Sequence, residues 1–274
     1  APFSGIYSTV GGAMSQNVPS TMKGVLGLEI VRADGAMVRT GSWGRKGPDT
    51  PFFRDYGPDL TGLFLGDTGS LGIKTGVSLH ISQKIGVTAH GSFAFETYED
   101  LARTMIELGP YDFVTRRVGL DPFKSQNAAK VGFKEAIKTL GDVSTTGSTL
   151  MSGIKDSMKM ATAGTNFMDG VKWSLHLTVE AITEDAAEVG LDIVRKICLE
   201  RSREIANIMP RAMEARGFSV RGFLGKDGQR WVPTNSLWPL SRAVEIATAV
   251  QEFFNSRRTE MDKHGMWESY MTNY

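Results

Sequence analysis

The chain has 274 residues, with 31 basic and 30 acidic side chains, a formal net charge of +1, and 41% hydrophobic against 22% charged residues. That balance can fill a core, and the near-neutral charge provides no basic surface for nucleic acid or an anionic membrane. The single cysteine, Cys198, excludes an internal disulfide and a cysteine-rich metal site, and no apolar run reaches the length of a membrane span.

The length predicts two domains, and the composition shifts near residue 85, which divides the chain into 1–85 and 86–274. The start, Ala-Pro-Phe-Ser-Gly, carries no basic-then-apolar signal pattern. With one cysteine placed in a helical pattern and read as a buried structural thiol, the chain is expected to be cytoplasmic.

STVGGAMSQNVP (8–19) reads as a strand that ends in a turn of bare backbone at Gly11-Gly12; on spacing alone it is also a plain turn. LGLEIVRADGAMVRTG (26–41) predicts strand, tight turn and strand around Ala33-Asp34-Gly35. SWGRKGPDTPFFRDYGP (42–58) is loop, Asp59 caps the short helix LTGLFLG, and GIKTGVSLHIS (72–82) is another strand. The first region is thus an α+β lobe dominated by antiparallel strands.

In the second region GVTAHGSFAFE predicts a strand, TYEDLARTMIELG a helix capped by Thr97, and DFVTRRVGL the next strand. A helical stretch from Asp121-Pro122 to about Leu140 and a loop-rich, Met-containing stretch to residue 170 follow. Its Met151, Met158, Met160 and Met168 read as adaptable packing. VKWSLHLTVEAI alternates, with Val171, Trp173, Leu175, Leu177 and Val179 on one face. A long helix from Thr183-Glu184-Asp185 to about Ile205 and another from Ser241 to about Lys263 complete a split βαβ arrangement of ferredoxin-like kind.

Three pieces taken in order carry a resemblance: TVGGAMSQN, VLGLEIVRADGAMVRTG and GPDLTGLFLGDTGSLGIKTGVSLHI. Together they resemble the second half of the FAD-binding domain of the vanillyl-alcohol oxidase/p-cresol methylhydroxylase superfamily. The family's TVGG turn with a following Asn matches Thr9–Gly12 and Asn17. Its G-x-E-V-V-x-x-D-G hairpin matches Gly27–Gly35, and its L-F-x-G-S-E-G-T-L-G-I-x-T stretch matches Leu63–Thr75, with Asp67-Thr68 in place of Ser-Glu. The later region resembles the family's ferredoxin-like cap domain in layout.

The resemblance implies an FAD-dependent oxidoreductase, or a fragment or subunit of one. Such an enzyme oxidises an alcohol, phenolic or 2-hydroxy-acid substrate by hydride transfer to flavin N5. It implies FAD contacts from Thr9, Val10, Gly11, Gly12, Ser15, Asn17, Gly27, Glu29, Ile30, Gly69, Gly72 and Ile73, with Ser15 near N5 as the catalytic candidate. It also implies that the family's first FAD lobe precedes Ala1 and that the cap continues past Tyr274. Homo-oligomerisation, or a complementary chain that supplies the other lobe, is the expected association.

Substrate candidates in the cap region are Arg221 and Trp231, in the aromatic–basic stretch RGFLGKDGQRWVPTNSLWP, and His176. The bland alternatives are a packed loop with solvated arginines and a partly exposed structural histidine. No histidine has partners at metal-ligand spacing, so no metal is expected. The alternative function is a non-catalytic binding module whose FAD site another polypeptide completes.

Overall fold

The computed structural model describes residues 24–45, 47, 52–54, 57–65, 67, 69–79, 86–122, 125, 168, 170–215, 238–269 and 271–273. They fall into two compact units, one in the segment up to Lys84 and one from Ile85 onward.

The first unit is a three-stranded antiparallel sheet in which β1 (Val25–Val31) lies between β2 (Met37–Arg39) and β3 (Ile73–Leu79). The β1–β2 turn follows the sequence reading: Gly35 takes φ +78°, and Asp34 Oδ1 accepts the Ala36 N–H at 3.0 Å. Val25, Leu28 and Ile30 are wholly buried, with Phe64, Leu65, Val77 and Leu79 packed on them. Polar contacts hold the rest. The Leu28 N–H donates to Thr40 Oγ1 (3.0 Å), and Thr61 Oγ1 donates to the same oxygen (2.8 Å), both threonines being buried. The predicted Asp59 cap accepts the Gly62 N–H at 3.0 Å and opens α1 (Leu60–Leu63), while Arg54 forks onto the same carboxylate at 3.0 and 2.6 Å.

The second unit is a five-stranded antiparallel sheet. β4 (Val87–Phe95) leads to α2 (Tyr98–Glu107), then β5 (Val114–Leu120). β6 (Trp173–Ala181), α3 (Glu184–Cys198) and β7 (Arg203–Glu204) follow. The order β7-β4-β6-β5 is the ferredoxin-like arrangement expected, and β8 (Met271–Asn273) adds a strand beside β5. Thr97 Oγ1 accepts the Asp100 N–H (3.1 Å) and Thr183 Oγ1 the Ala186 N–H (3.3 Å), so each helix starts on the residue predicted to cap it.

The odd-numbered residues of β6 and β4, among them Leu175, Leu177 and Phe93, pack against Leu101 and Met105 of α2 and Val194 of α3. Tyr98 meets Trp173 edge-on at 5.1 Å. α3 lies close on the sheet at Gly190, where a Cβ would come within 2.9 Å of Val179 Cγ1. Cys198 is wholly buried in this core, and burial pushes its thiol up, so it is the structural residue expected.

Two expectations are corrected. The helix from Thr183 ends at Cys198 rather than near Ile205. Ser202 Oγ donates to the Cys198 carbonyl at 2.6 Å, and Arg203–Glu204 pairs with Ala94 and Phe93 instead. The helix expected over 241–263 is two helices, α5 (Ala243–Ser256) and α6 (Arg258–Lys263). They break at Arg257 (φ −111°, ψ 9°), where Ser256 Oγ bonds back to the Phe253 carbonyl at 2.7 Å. α4 (Ile208–Ala215) lies between β7 and α5 in sequence. The helix predicted from Asp121 falls largely outside the described residues, and no helix among those described is long and apolar enough to cross a membrane.

Loss of the α3 cap is a direct check on this reading. Thr183→Ala should lower unfolding stability by about 1 kcal/mol with an unchanged denaturant slope, measured by urea unfolding followed by circular dichroism.

Candidate functional site

The glycine stretch at the entry to β3 is organised by a carboxylate. Asp67 Oδ1 accepts the Gly69 N–H (3.0 Å) and Asp67 Oδ2 the Leu71 N–H (3.2 Å). Oδ2 also pairs with the Lys74 ammonium, which reaches the Gly72 carbonyl at 3.4 Å. The Asp67 carbonyl accepts the Ser70 N–H (3.0 Å) and its hydroxyl (2.5 Å). The side chains of Asp67 and Lys74 are only 3% and 2% exposed, whereas Gly69, Ser70 and Leu71 face solvent. A charge pair that deep is stable because each charge meets the other and the carboxylate takes backbone donors as well. Removing one partner would leave an uncompensated buried charge, at a cost of ~3–5 kcal/mol.

Gly69 takes φ +83° and Gly72 φ +143°, so both need glycine. At Gly72 the reason is also packing, since a Cβ would lie 2.6 Å from Ile30 Cγ2 and 2.8 Å from the Val31 carbonyl oxygen.

Next along β3, Thr75 Oγ1 donates to Glu29 of β1 (3.0 Å), which also accepts from Arg39 Nε (2.9 Å), and these hydrogen bonds, Arg39's first, hold the Glu29 carboxyl below the usual carboxylate range. The Arg39 guanidinium stacks over Trp43 with 5.1 Å to the ring centroid. The same ring passes over Gly76, where a Cβ would approach it to 3.1 Å.

The structure therefore brings Ile30, Gly72 and Ile73 together, with Val31 paired to Ile73, and sets Gly69 in the turn before them. Gly27 sits towards the other end of β1, paired with Ser78. Ile30 is a core side chain with no exposure, while Ile73 is 72% exposed. Thr9, Val10, Gly11, Gly12, Ser15, Asn17, Arg221 and Trp231 lie outside the described residues.

His176 is placed differently from the expectation of a partly exposed residue. The alternation of β6 suggests a solvated second face, yet Ser92, Ser174 and His176 are wholly buried, and His90 and Thr178 nearly so. Cross-strand register aligns Ser92 with His176 and His90 with Thr178. Ser92 Oγ lies 2.9 Å from His176 Nδ1, and Ser174 Oγ lies 3.0 Å from Nε2. Ser174 Oγ is 2.9 Å from Ser125 Oγ, which donates at 3.5 Å to the Leu120 carbonyl.

That carbonyl can only accept, so it sets the direction of the whole row. Ser125 donates to Leu120, Ser174 to Ser125, His176 Nε2–H to Ser174, and Ser92 to His176 Nδ1. The ring is the neutral Nε2–H tautomer, assigned from this network. Burial lowers its pKa from 6.5 to about 3. With both nitrogens committed, His176 is an internal clamp of the sheet rather than a group facing a substrate.

Asp67, Lys74 and the three serines escaped the sequence reading. An Asp two residues before a Gly is an Asx-turn signal, and Lys74 falls at an inward position of its strand; both signs were present.

No family model matches the chain, and no curated protein does. Solved structures do. The chain is similar to p-cresol methylhydroxylase with substrate bound at 22% identity, with a TM-score of 0.48, over 71% of this chain and 37% of that one. It is similar to 4-ethylphenol oxidase from Gulosibacter chungangensis in its isoeugenol complex at 18% identity, with a TM-score of 0.50, over 75% of this chain and 40% of that one. A further likeness is to alkyldihydroxyacetonephosphate synthase, at 13% identity and a TM-score of 0.40 over 71% and 34%. The match to the oxidase shows a shared fold, the α+β arrangement that the sequence resemblance implies. The chain spans between about one third and two fifths of the length of these structures.

The buried imidazole makes a pH prediction. A histidine whose folded pKa is depressed binds fewer protons folded than unfolded. Its contribution is therefore complete above the unfolded value of 6.5 and is lost as pH falls towards 3. Urea unfolding of the wild type and His176→Gln from pH 7 down to pH 4.5 should show the stability gap between them shrinking by up to ~1.4 kcal/mol per pH unit below 6.5. A gap independent of pH would contradict the neutral, buried assignment.

Proposed function

We propose that the chain is part of an FAD-dependent oxidoreductase that oxidises a small alcohol, phenolic or 2-hydroxy-acid substrate. One observation carries the reading: three motifs occur in the family's order and spacing, and the described parts of the second and third fall on neighbouring strands of one small lobe. The fold likeness supports it. The described residues suit such a ligand. The turn at Gly69–Leu71 is exposed, bare of side chain at Gly69, apolar at Leu71 and held in one conformation by Asp67, which suits a flat group laid against main chain.

When bound, flavin supplies the acceptor for a hydride removed from the substrate's C–H bond. The chain's own residues bind and orient. The turn at Thr9–Gly12 with Asn17 would present backbone donors to the pyrophosphate, and Ser15 would sit beside the reacting ring. Glu29, held as a carboxylate by Arg39 and Thr75, is an acceptor suited to a ribose hydroxyl. Arg221 and Trp231 would take a carboxylate or an aromatic ring. His176 would act only indirectly, by holding β4 and β6 in register.

A second reading is favoured by the span of the match, about two fifths of the oxidase's length. In it the FAD site is completed by another polypeptide, or by another stretch of a longer one. Titrating the purified 274-residue chain with FAD and recording visible absorbance and flavin fluorescence separates the two. Saturable binding with a perturbed flavin spectrum is expected if this chain's half of the site suffices. Absence of binding by the chain, restored by a complementary polypeptide, would select the second reading. Absence under both conditions would refute the flavin assignment.

A further inference from the structure

The turn at 67–74 has the composition of an anion site: two convergent backbone amides, Gly69 and Leu71, with a buried ammonium, Lys74, beside them. Such amide pockets ordinarily take phosphate. Here the pocket is already full. Each oxygen of the Asp67 carboxylate takes one of the two amides, at 3.0 and 3.2 Å, and Oδ2 also takes the lysine.

We propose that Asp67 is the resident anion of this turn. It denies the Gly69–Leu71 amides to a ligand's phosphate and makes the turn a specificity element that accepts only an uncharged part of a bound molecule. Three points carry this. Among the described residues the carboxylate of Asp67 is matched by the ammonium of Lys74, so a second anion brought to the pocket would meet a carboxylate already in place. Both charged side chains are withdrawn from solvent, so the pair persists without a ligand. The turn itself remains exposed at Gly69, Ser70 and Leu71 and can still be covered by a neutral surface. On the proposed function this neutral part is the adenosine portion of FAD; the exclusion of phosphate is independent of that reading.

The test uses the full chain and inorganic phosphate, with sodium chloride at equal ionic strength as reference. Thermal melts of the wild type should show no saturable stabilisation by millimolar phosphate beyond that seen in Lys74→Met. Asp67→Ala should melt several degrees lower and recover in phosphate, because the freed amides and Lys74 then bind it. Asp67→Ala/Lys74→Met should not recover. Saturable stabilisation of the wild type that Lys74→Met abolishes, or a folded Asp67→Ala protein no more responsive to phosphate than the wild type, overturns the proposal. If Asp67→Ala does not fold, the near-isosteric Asp67→Asn decides by amide hydrogen exchange. Its side chain can accept from one amide and not both, so Gly69 or Leu71 should exchange at least tenfold faster than in the wild type, and unchanged protection of both overturns the proposal. FAD titration of the same samples keeps the readings apart: failure to bind FAD counts against the flavin reading and leaves the phosphate result standing.

Discussion

The nine-residue pairing of β4 with β6 is the constraint on which the second unit depends. It runs without a bulge from Val87 opposite Ala181 to Phe95 opposite Trp173. Side chains alternate across a strand, so an unbroken register forces two uniform faces. One collects Phe93, Leu175 and Leu177 under the helices, and the other collects Ser92, His176 and Thr178. A slip of one residue would drive the imidazole into the aliphatic core and leave its nitrogens without partners. The hydrogen-bonded row from Ser92 to Leu120 therefore reports the register as much as it stabilises it, and it carries the pairing across from β4 through β6 to β5.

The first unit is built on another balance. Among the described residues its wholly buried aliphatic side chains are Val25, Leu28 and Ile30. Directional contacts supplement that core: the paired threonines 40 and 61, the Arg54 fork on Asp59 and the Asp67–Lys74 pair. Each ties a loop back to the strands, which matters where the loops carry the candidate binding residues.

Much of this was legible in the sequence for local reasons. Thr97 and Thr183 each precede an acidic first turn and an amphipathic run, and each caps as read. Asp34-Gly35 and Asp59 are equally local signals, and the alternation from Trp173 to Val179 marks its strand. What escaped depends on tertiary context. Alternation cannot tell a solvated polar face from a buried one, so the sequence reads His176 as partly exposed. The end of α3 is set by a strand partner, β4, that helix propensity does not register. Of the candidate site, Gly72 and Ile30 were found as neighbours, while Asp67, which organises their turn, lay hidden as a departure from the family pattern.

The two-residue strand β7 has a consequence for how the molecule behaves among its copies. It lies at one margin of the five-stranded sheet, and its residues, Arg203 and Glu204, are both charged and exposed. Glu204 is drawn towards Arg195 of α3, at 3.1 Å. An incoming strand would have to match a ladder only two residues long and lie across two opposite charges. Where β7 covers β4, at Phe93 and Ala94, that margin is a poor template for edge-to-edge growth.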